Sequence, residues 1–214
     1  MEVLRPTART ERSAERPLFY YDLADPNCYL VAERVMSELP VVPEWEPVLA
    51  ADLLVETEPW RKSEPTGRFF AKPPEVDRER LERLAAELGL QPLRWPAQWP
   101  PDSREAMLAA AYAKRIGRAV AFSLAAFRQA FAGGRDLGDR DTILIAGAAC
   151  EIHPSALLKA LSMGSVSAAL QDANARAQAA GVRSFPAIQV GDAVFDGEDP
   201  VGRAAEALLS SSAR

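Results

Sequence analysis

The stretch Leu18-Phe19-Tyr20-Tyr21-Asp22-Leu23-Ala24-Asp25-Pro26-Asn27-Cys28-Tyr29-Leu30 decides how this chain is read. Its first half is apolar and aromatic, and residues Pro17 to Ala24 read as a buried strand. Asp25 followed by Pro26 then has the form of a helix N-cap with proline at the first helical position. Leu30, Val31, Arg34, Val35 and Leu39 recur at helical spacing, and Pro40 and Pro43 stop the pattern. One helix from Pro26 to Leu39 is predicted. Glu44-Trp45-Glu46-Pro47-Val48-Leu49 alternates and reads as a second strand, parallel to the first because a helix connects them.

Further along the chain the pattern changes. Residues 52–75 are rich in prolines and charges and read as an irregular connection. Val76 to Leu90 reads as a helix stopped by Gly89. Gln91 to Pro101 holds four prolines and two tryptophans and reads as a loop. Helices follow from Ser103, as N-cap, to about Ile116, from Ala119 to Phe131, from Arg140 to Cys150 behind Asp139, from Pro154 to Leu161, and from Ser165 to Gly181. After Gly181 strands return. Phe185 to Val190 and Ala193 to Phe195 flank a Gly191-Asp192 turn and read as a hairpin. Asp199-Pro200 repeats the N-cap and proline device and starts a last helix to about Leu209. A β-α-β unit and a β-β-α unit thus flank a block of about six helices.

Composition narrows the function. The chain has 214 residues, 48% of them hydrophobic, and a net charge of −5 with no basic stripe, so no nucleic-acid partner is expected. No apolar run is long enough to span a membrane. Residues 1–16 read as a mobile tail without the apolar core of a secretory signal, which points to a cytoplasmic protein. Two cysteines, Cys28 and Cys150, and one histidine, His153, are too few for a disulfide framework or a zinc site, and no metal is expected.

The chain resembles the DsbA-like branch of the thioredoxin superfamily. Within it, the resemblance is to the group of 2-hydroxychromene-2-carboxylate isomerases and kappa-class glutathione transferases. Residues 19–30 resemble that group's FYDxxSPYSYL opening. Trp99-Pro100-Pro101-Asp102-Ser103 and Phe127 to Asp139 resemble its FPxNS and FxxxFxxGxDxxD stretches, and Gly181 to Pro186 its GVxGxP loop. The resemblance implies an α/β, thioredoxin-like fold with a large all-helical insertion. Residues 17–51 and 165–214 would form the thioredoxin-like domain and 52–164 the insertion. It also implies a small-molecule enzyme, with glutathione or another small thiol as cofactor. A thiol-disulfide oxidoreductase and a degenerate peptide- or ligand-binding protein are the alternatives, and a homodimer is a further possibility.

Site residues carry over by position. Asp25 stands where the oxidoreductases have their nucleophilic cysteine and the isomerase group a serine. Cys28 stands at the resolving cysteine and Pro186 at the cis-proline. Phe185 would supply the backbone edge for glutathione or a peptide, and Glu198 and Asp199 would meet the γ-glutamyl end. The group's Lys-x-x-Tyr-x-x-x-Asp region has no clean counterpart around Lys72 to Arg80.

Asp25 changes the chemistry expected at this position. A helix N-terminus offers unpaired N–H groups and a partial positive charge, which in a dithiol enzyme activate a cysteine. Here a carboxylate takes that place, so a two-cysteine cycle within the motif is impossible and a bound thiolate would be repelled. Asp25 is then either a helix cap in a site without chemistry, or a general base or a cation or hydroxyl acceptor in a retained pocket. It is expected to stay ionised unless burial opposes this. Cys28 reads as inert and inward-facing more readily than reactive, with a one-cysteine thiol activity as the alternative. Cys150 reads as core, and His153 as a cap or surface residue. Trp95 and Trp99 either pack the loop onto the helices or wall a cleft. Arg61, Lys62, Arg68 and Lys72 are candidate contacts to an acidic ligand, or a solvated basic face.

Overall fold

A computed structural model describes residues 16–53 and 76–212. The four cationic candidates between Arg61 and Lys72, and most of the N-terminal tail, lie outside these residues. β1 (Leu18–Tyr21) pairs in parallel with β2 (Glu44–Pro47) and antiparallel with β3 (Ala187–Val190), which pairs antiparallel with β4 (Ala193–Asp196). The sheet order is β2-β1-β3-β4. This is the expected thioredoxin-like arrangement.

Helix α1 (Pro26–Ala32) follows β1, and α2 (Val35–Glu38) follows it. The single helix predicted from Pro26 to Leu39 is therefore broken. At Arg34 the backbone leaves helical geometry (φ −120°), its N–H turns to the Val31 carbonyl, and its guanidinium reaches Glu38 and Asp199. Between β2 and the hairpin lie α3 (Ala50–Leu53), α4 (Arg78–Glu87), α5 (Arg104–Arg115), α6 (Ala119–Phe131), α7 (Arg140–Ala149), α8 (Pro154–Leu161) and α9 (Gly164–Ala180). The last helix, α10, spans Pro200–Ser212 and runs past the expected end at Leu209. Gly181 ends α9 in the left-handed conformation (φ 86°) that glycine adopts without a Cβ clash.

The sheet and the helices share one core. Phe19, Tyr21 and Trp45 from β1 and β2 pack with Met107 of α5 and with Phe122, Phe127 and Phe131 of α6. Ring contacts run without interruption from Phe19 through Tyr21, Phe127, Tyr29 and Phe131 to Trp95 and Trp99. Each fully buried aromatic side chain of this kind stabilises the fold by about 2–3 kcal/mol. Within the core the Tyr21 hydroxyl bonds the Ser123 hydroxyl at 2.6 Å, which satisfies both buried groups. Ion pairs tie the helices together at the surface, Glu33 of the α1 C-cap to Arg128 of α6 and Glu105 of α5 to Arg140 of α7. The effect is to hold the C-terminal end of β1 and the start of α1 on a packed foundation.

Candidate functional site

The turn between β1 and α1 forms as its residues dictate. The Asp25 N–H donates to the Asp22 carbonyl at 3.1 Å, and Asp25 then adopts the extended backbone of an N-cap. Its Oδ1 accepts from the Asn27 N–H at 2.7 Å, the Cys28 N–H at 3.3 Å and the Asn27 side-chain amide at 3.2 Å. The carboxylate thus takes the donors that a helix N-terminus would offer to a bound anion. Burial is the largest influence and pushes the Asp25 carboxyl up to about 6. The Asn27 and Cys28 bonds pull it down, and the nearby Asp22 charge adds to the rise. Burial does oppose ionisation here, and the carboxyl is held well above its ordinary value.

Cys28 is fully buried and free. Burial first, and the Asp25 charge second, push its thiol well above its ordinary value, so it is not a thiolate at neutral pH. It packs as a small apolar side chain. Cys150 is buried as well, and its thiol donates to the Ala146 and Gly147 carbonyls. His153 caps α8, its Nδ1 accepting from the Ser155 N–H at 3.3 Å, in line with the cap reading.

The residue missed from the sequence is Asp22. Its carboxylate is 3% exposed and joins three parts of the chain. Oδ1 accepts from the Ala24 N–H at 2.9 Å, Oδ2 from the Ala50 N–H at 2.8 Å, and the Ser103 hydroxyl also donates to it. Ser103 therefore does not cap α5 with its side chain as expected; the Asp102 carboxylate accepts from the Arg104 N–H instead. The available signal was an acidic residue at the end of an otherwise apolar run, because a buried carboxylate needs donors.

The other candidates fall into two groups. The β1–β3 register pairs Tyr20 with Ala187, so Pro186 and Phe185 continue past the end of the ladder where the Asp22–Asp25 turn begins. Pro186 is buried, Phe185 is half-buried, and the peptide bond between them is cis. Glu198 and Asp199 are exposed. Asp199 caps α10 through the Gly202 N–H at 3.2 Å and pairs with Arg34 at 3.3 Å. Among the described residues no hydrogen bond or ion pair joins either of them to Asp25. Trp95 and Trp99 pack against each other and Phe131, and Trp95 Nε1 donates to Glu82 at 2.9 Å, which fits the loop-packing role.

Two recesses flank the N-terminal half of α5. One of about 560 Å³ is lined by Asp102, Arg104, Glu105, Leu108, Gly138 and Arg140. A smaller one of about 210 Å³ shares Arg104 and Leu108 and extends to Asp52 and Leu170. Neither is lined by Asp25, although Ser103, which donates to Asp22, directly precedes Arg104. The Asp25 position does not fit a thiolate cofactor, because its own carboxylate occupies the helix-end donors. Among the described residues no group of three or more His, Cys, Asp or Glu could hold a metal ion, and no helix is long and apolar enough to cross a membrane.

Comparison with known proteins agrees with this geometry. No curated protein matches the chain in sequence. Among solved structures, a 2-hydroxychromene-2-carboxylate isomerase superposes with a TM-score of 0.75 at 18% identity, over 92% of this chain and 95% of that one. A probable DsbA oxidoreductase from Streptomyces coelicolor gives 0.68 at 18% identity, over 93% and 90%. The cytosolic disulfide reductase DsbM from Pseudomonas aeruginosa, solved with GSH, gives 0.60 at 18% identity, over 93% and 99%. These likenesses show the fold. The family model of the DSBA-like thioredoxin domain matches residues 18–209, and the chain belongs to that family.

Proposed function

We propose that this chain is a small-molecule enzyme that moves a proton with the Asp25 carboxyl, as an isomerase does, and does not exchange disulfides. One observation carries the reading: the position where a dithiol enzyme keeps its nucleophile holds a helix-capping carboxyl that titrates at about 6, above a thiol that burial keeps protonated. A general acid–base group works best when its pKa lies near the operating pH. At neutral pH Asp25 is mostly ionised and accepts a proton from a substrate hydroxyl or from a carbon beside a carbonyl. The resulting acid returns the proton to a neighbouring atom of the same substrate. Nothing is gained or lost overall, which is an isomerisation. The likeness to the 2-hydroxychromene-2-carboxylate isomerase supports a small aromatic substrate of that kind. A glutathione thiolate would stand against the Asp25 charge, so turnover needs no thiol.

Interconversion of 2-hydroxychromene-2-carboxylate and its ring-opened isomer, followed by absorbance with and without glutathione, tests this. The expected outcome is thiol-independent turnover that falls about 100-fold or more in Asp25→Asn and is unchanged in Cys28→Ser. Full activity in Asp25→Asn, loss of activity in Cys28→Ser, or no turnover of this substrate class would each overturn the reading.

A further inference from the structure

Asp22 and Asp25 are two carboxylates on one short turn, and their partners differ. All three hydrogen bonds to Asp25 come from residues 27 and 28, and they reach a single oxygen, Oδ1. Asp22 uses both oxygens and draws its donors from its own turn, from the exit of β2 and from the start of α5. Two of those donors are backbone N–H groups, which cannot reverse to become acceptors. Burial, the largest influence, raises the Asp22 carboxyl above its ordinary value, and the Ala24, Ala50 and Ser103 donors pull it back toward the charged form. Two nearby carboxyl groups placed in unlike surroundings divide their roles, one keeping the charge and the other the proton.

We propose that Asp22 is a positioning residue: it holds the turn that presents Asp25 and carries the fixed negative charge against which Asp25 takes up and releases its proton. The inference deepens the reading of Asp25 as the proton-transfer group and rests on it. The other groups around the pair fit the division. Cys28 of α1 and Tyr21 of β1 both have their protons held by burial and are neutral at pH 7. Asp52 of α3 also acts on Asp22, but its charge is met by Arg104 of α5 at 2.7 Å. Ser103, one residue before Arg104, is the uncharged donor that links the insertion to the turn.

Carbon-13 carboxyl titration of the full chain by NMR reads both groups without any substrate. The expected result is that Asp25 titrates near pH 6 while Asp22 stays charged through that range. In Asp22→Asn the like charge is gone and the Asp25 midpoint falls by about half a pH unit or more. Ser103→Ala keeps both carboxyl groups and serves if Asp22→Asn does not fold. Losing one donor raises the Asp22 midpoint toward that of Asp25, so Asp22 is partly protonated where Asp25 titrates and the weakened repulsion lowers the Asp25 midpoint. A residue with only a structural role would change the unfolding midpoint of these variants and leave the Asp25 titration where it was. That outcome, or Asp22 taking up its proton at a higher pH than Asp25, would overturn the proposal. Because no turnover is measured, a failed isomerase assay and a failed titration are separate results.

Discussion

Two buried carboxylate sites in this molecule are built in opposite ways. Glu46, on β2, is 4% exposed and meets two cations, Lys114 at 2.7 Å and Arg176 at 3.2 Å. Lys114 is shared with Glu44 at 2.8 Å, so the sheet edge is a charge-neutralised lattice. In the Asp22–Asp25 turn Asp22 is as deeply buried and Asp25 is half-buried, but their partners are N–H and hydroxyl groups and, among the described residues, no cation. Cations fix a buried carboxylate in one state. Neutral donors stabilise the charge less, and at Asp25, where all of them meet a single oxygen, they leave the proton exchangeable. The difference separates a group that holds the sheet to α5 and α9 from one that is fit to move a proton.

The largest effect that tests this contrast is on stability against pH. The folded Asp25 carboxyl lies at about 6, above its ordinary 3.8. The folded state therefore binds the proton more tightly than the unfolded chain. The stabilisation is fully present below pH 3.8 and is lost as pH rises through about 6. Its size is on the order of 2–3 kcal/mol at one pH unit per 1.36 kcal/mol. Asparagine caps a helix as well as aspartate does, so Asp25→Asn removes the titration and keeps the cap. Urea unfolding of both proteins from pH 3.5 to 8 should show the variant gaining on the wild type between about pH 4 and 6 and holding that gain above. A constant difference across the range would place Asp25 among the inert caps.

The elements of the fold were legible because their signals are local. Asp25-Pro26 announces α1, and Gly191-Asp192 turns the β3–β4 hairpin, within a few residues of sequence. The site was legible only as far as those signals reach. Asp22 reads as one polar residue in an apolar run until Ala50, 28 positions away, and Ser103 are folded against it. Ser103 reads as an N-cap for the same reason, since its true partner is distant. The break at Arg34 is invisible to periodicity because its guanidinium leaves the helix for Asp199, 165 residues on. Proton affinity is the least legible property of all, because it depends on burial and on donors that local sequence does not name.

A smaller effect sharpens the other side of the contrast. Glu46→Gln leaves Arg176 without its carboxylate and Lys114 with only Glu44. A fully buried pair broken in this way costs 3–5 kcal/mol, but both cations here are partly exposed and water recovers part of the loss. The expected cost is about 1–2 kcal/mol in urea unfolding at pH 7. The Asp25 titration should not move. If it did, the sheet-edge network would be part of the site and the division between the two regions would fail.

Asp199 supplies the mildest test, since it has a cation like Glu46 but is exposed like neither. Its partner Arg34 lies at 3.3 Å, with both side chains reaching solvent. Exposed pairs of this kind contribute about 0–1 kcal/mol, because water screens the attraction and the long side chain loses freedom in making it. Arg34→Ala should therefore lower stability by less than about 1 kcal/mol at pH 7, and by less again at high salt. The Gly202 N–H still bonds Asp199 Oδ1 in that variant, so the α10 cap survives the loss of the arginine. Arg34 also marks the break between α1 and α2, and a larger loss, or a displaced Asp25 titration, would mean that the break itself holds the β1–α1 turn in place. The measurement thus asks whether the end of α1 that carries Asp25 is set by its own cap or by the far end of the same helix.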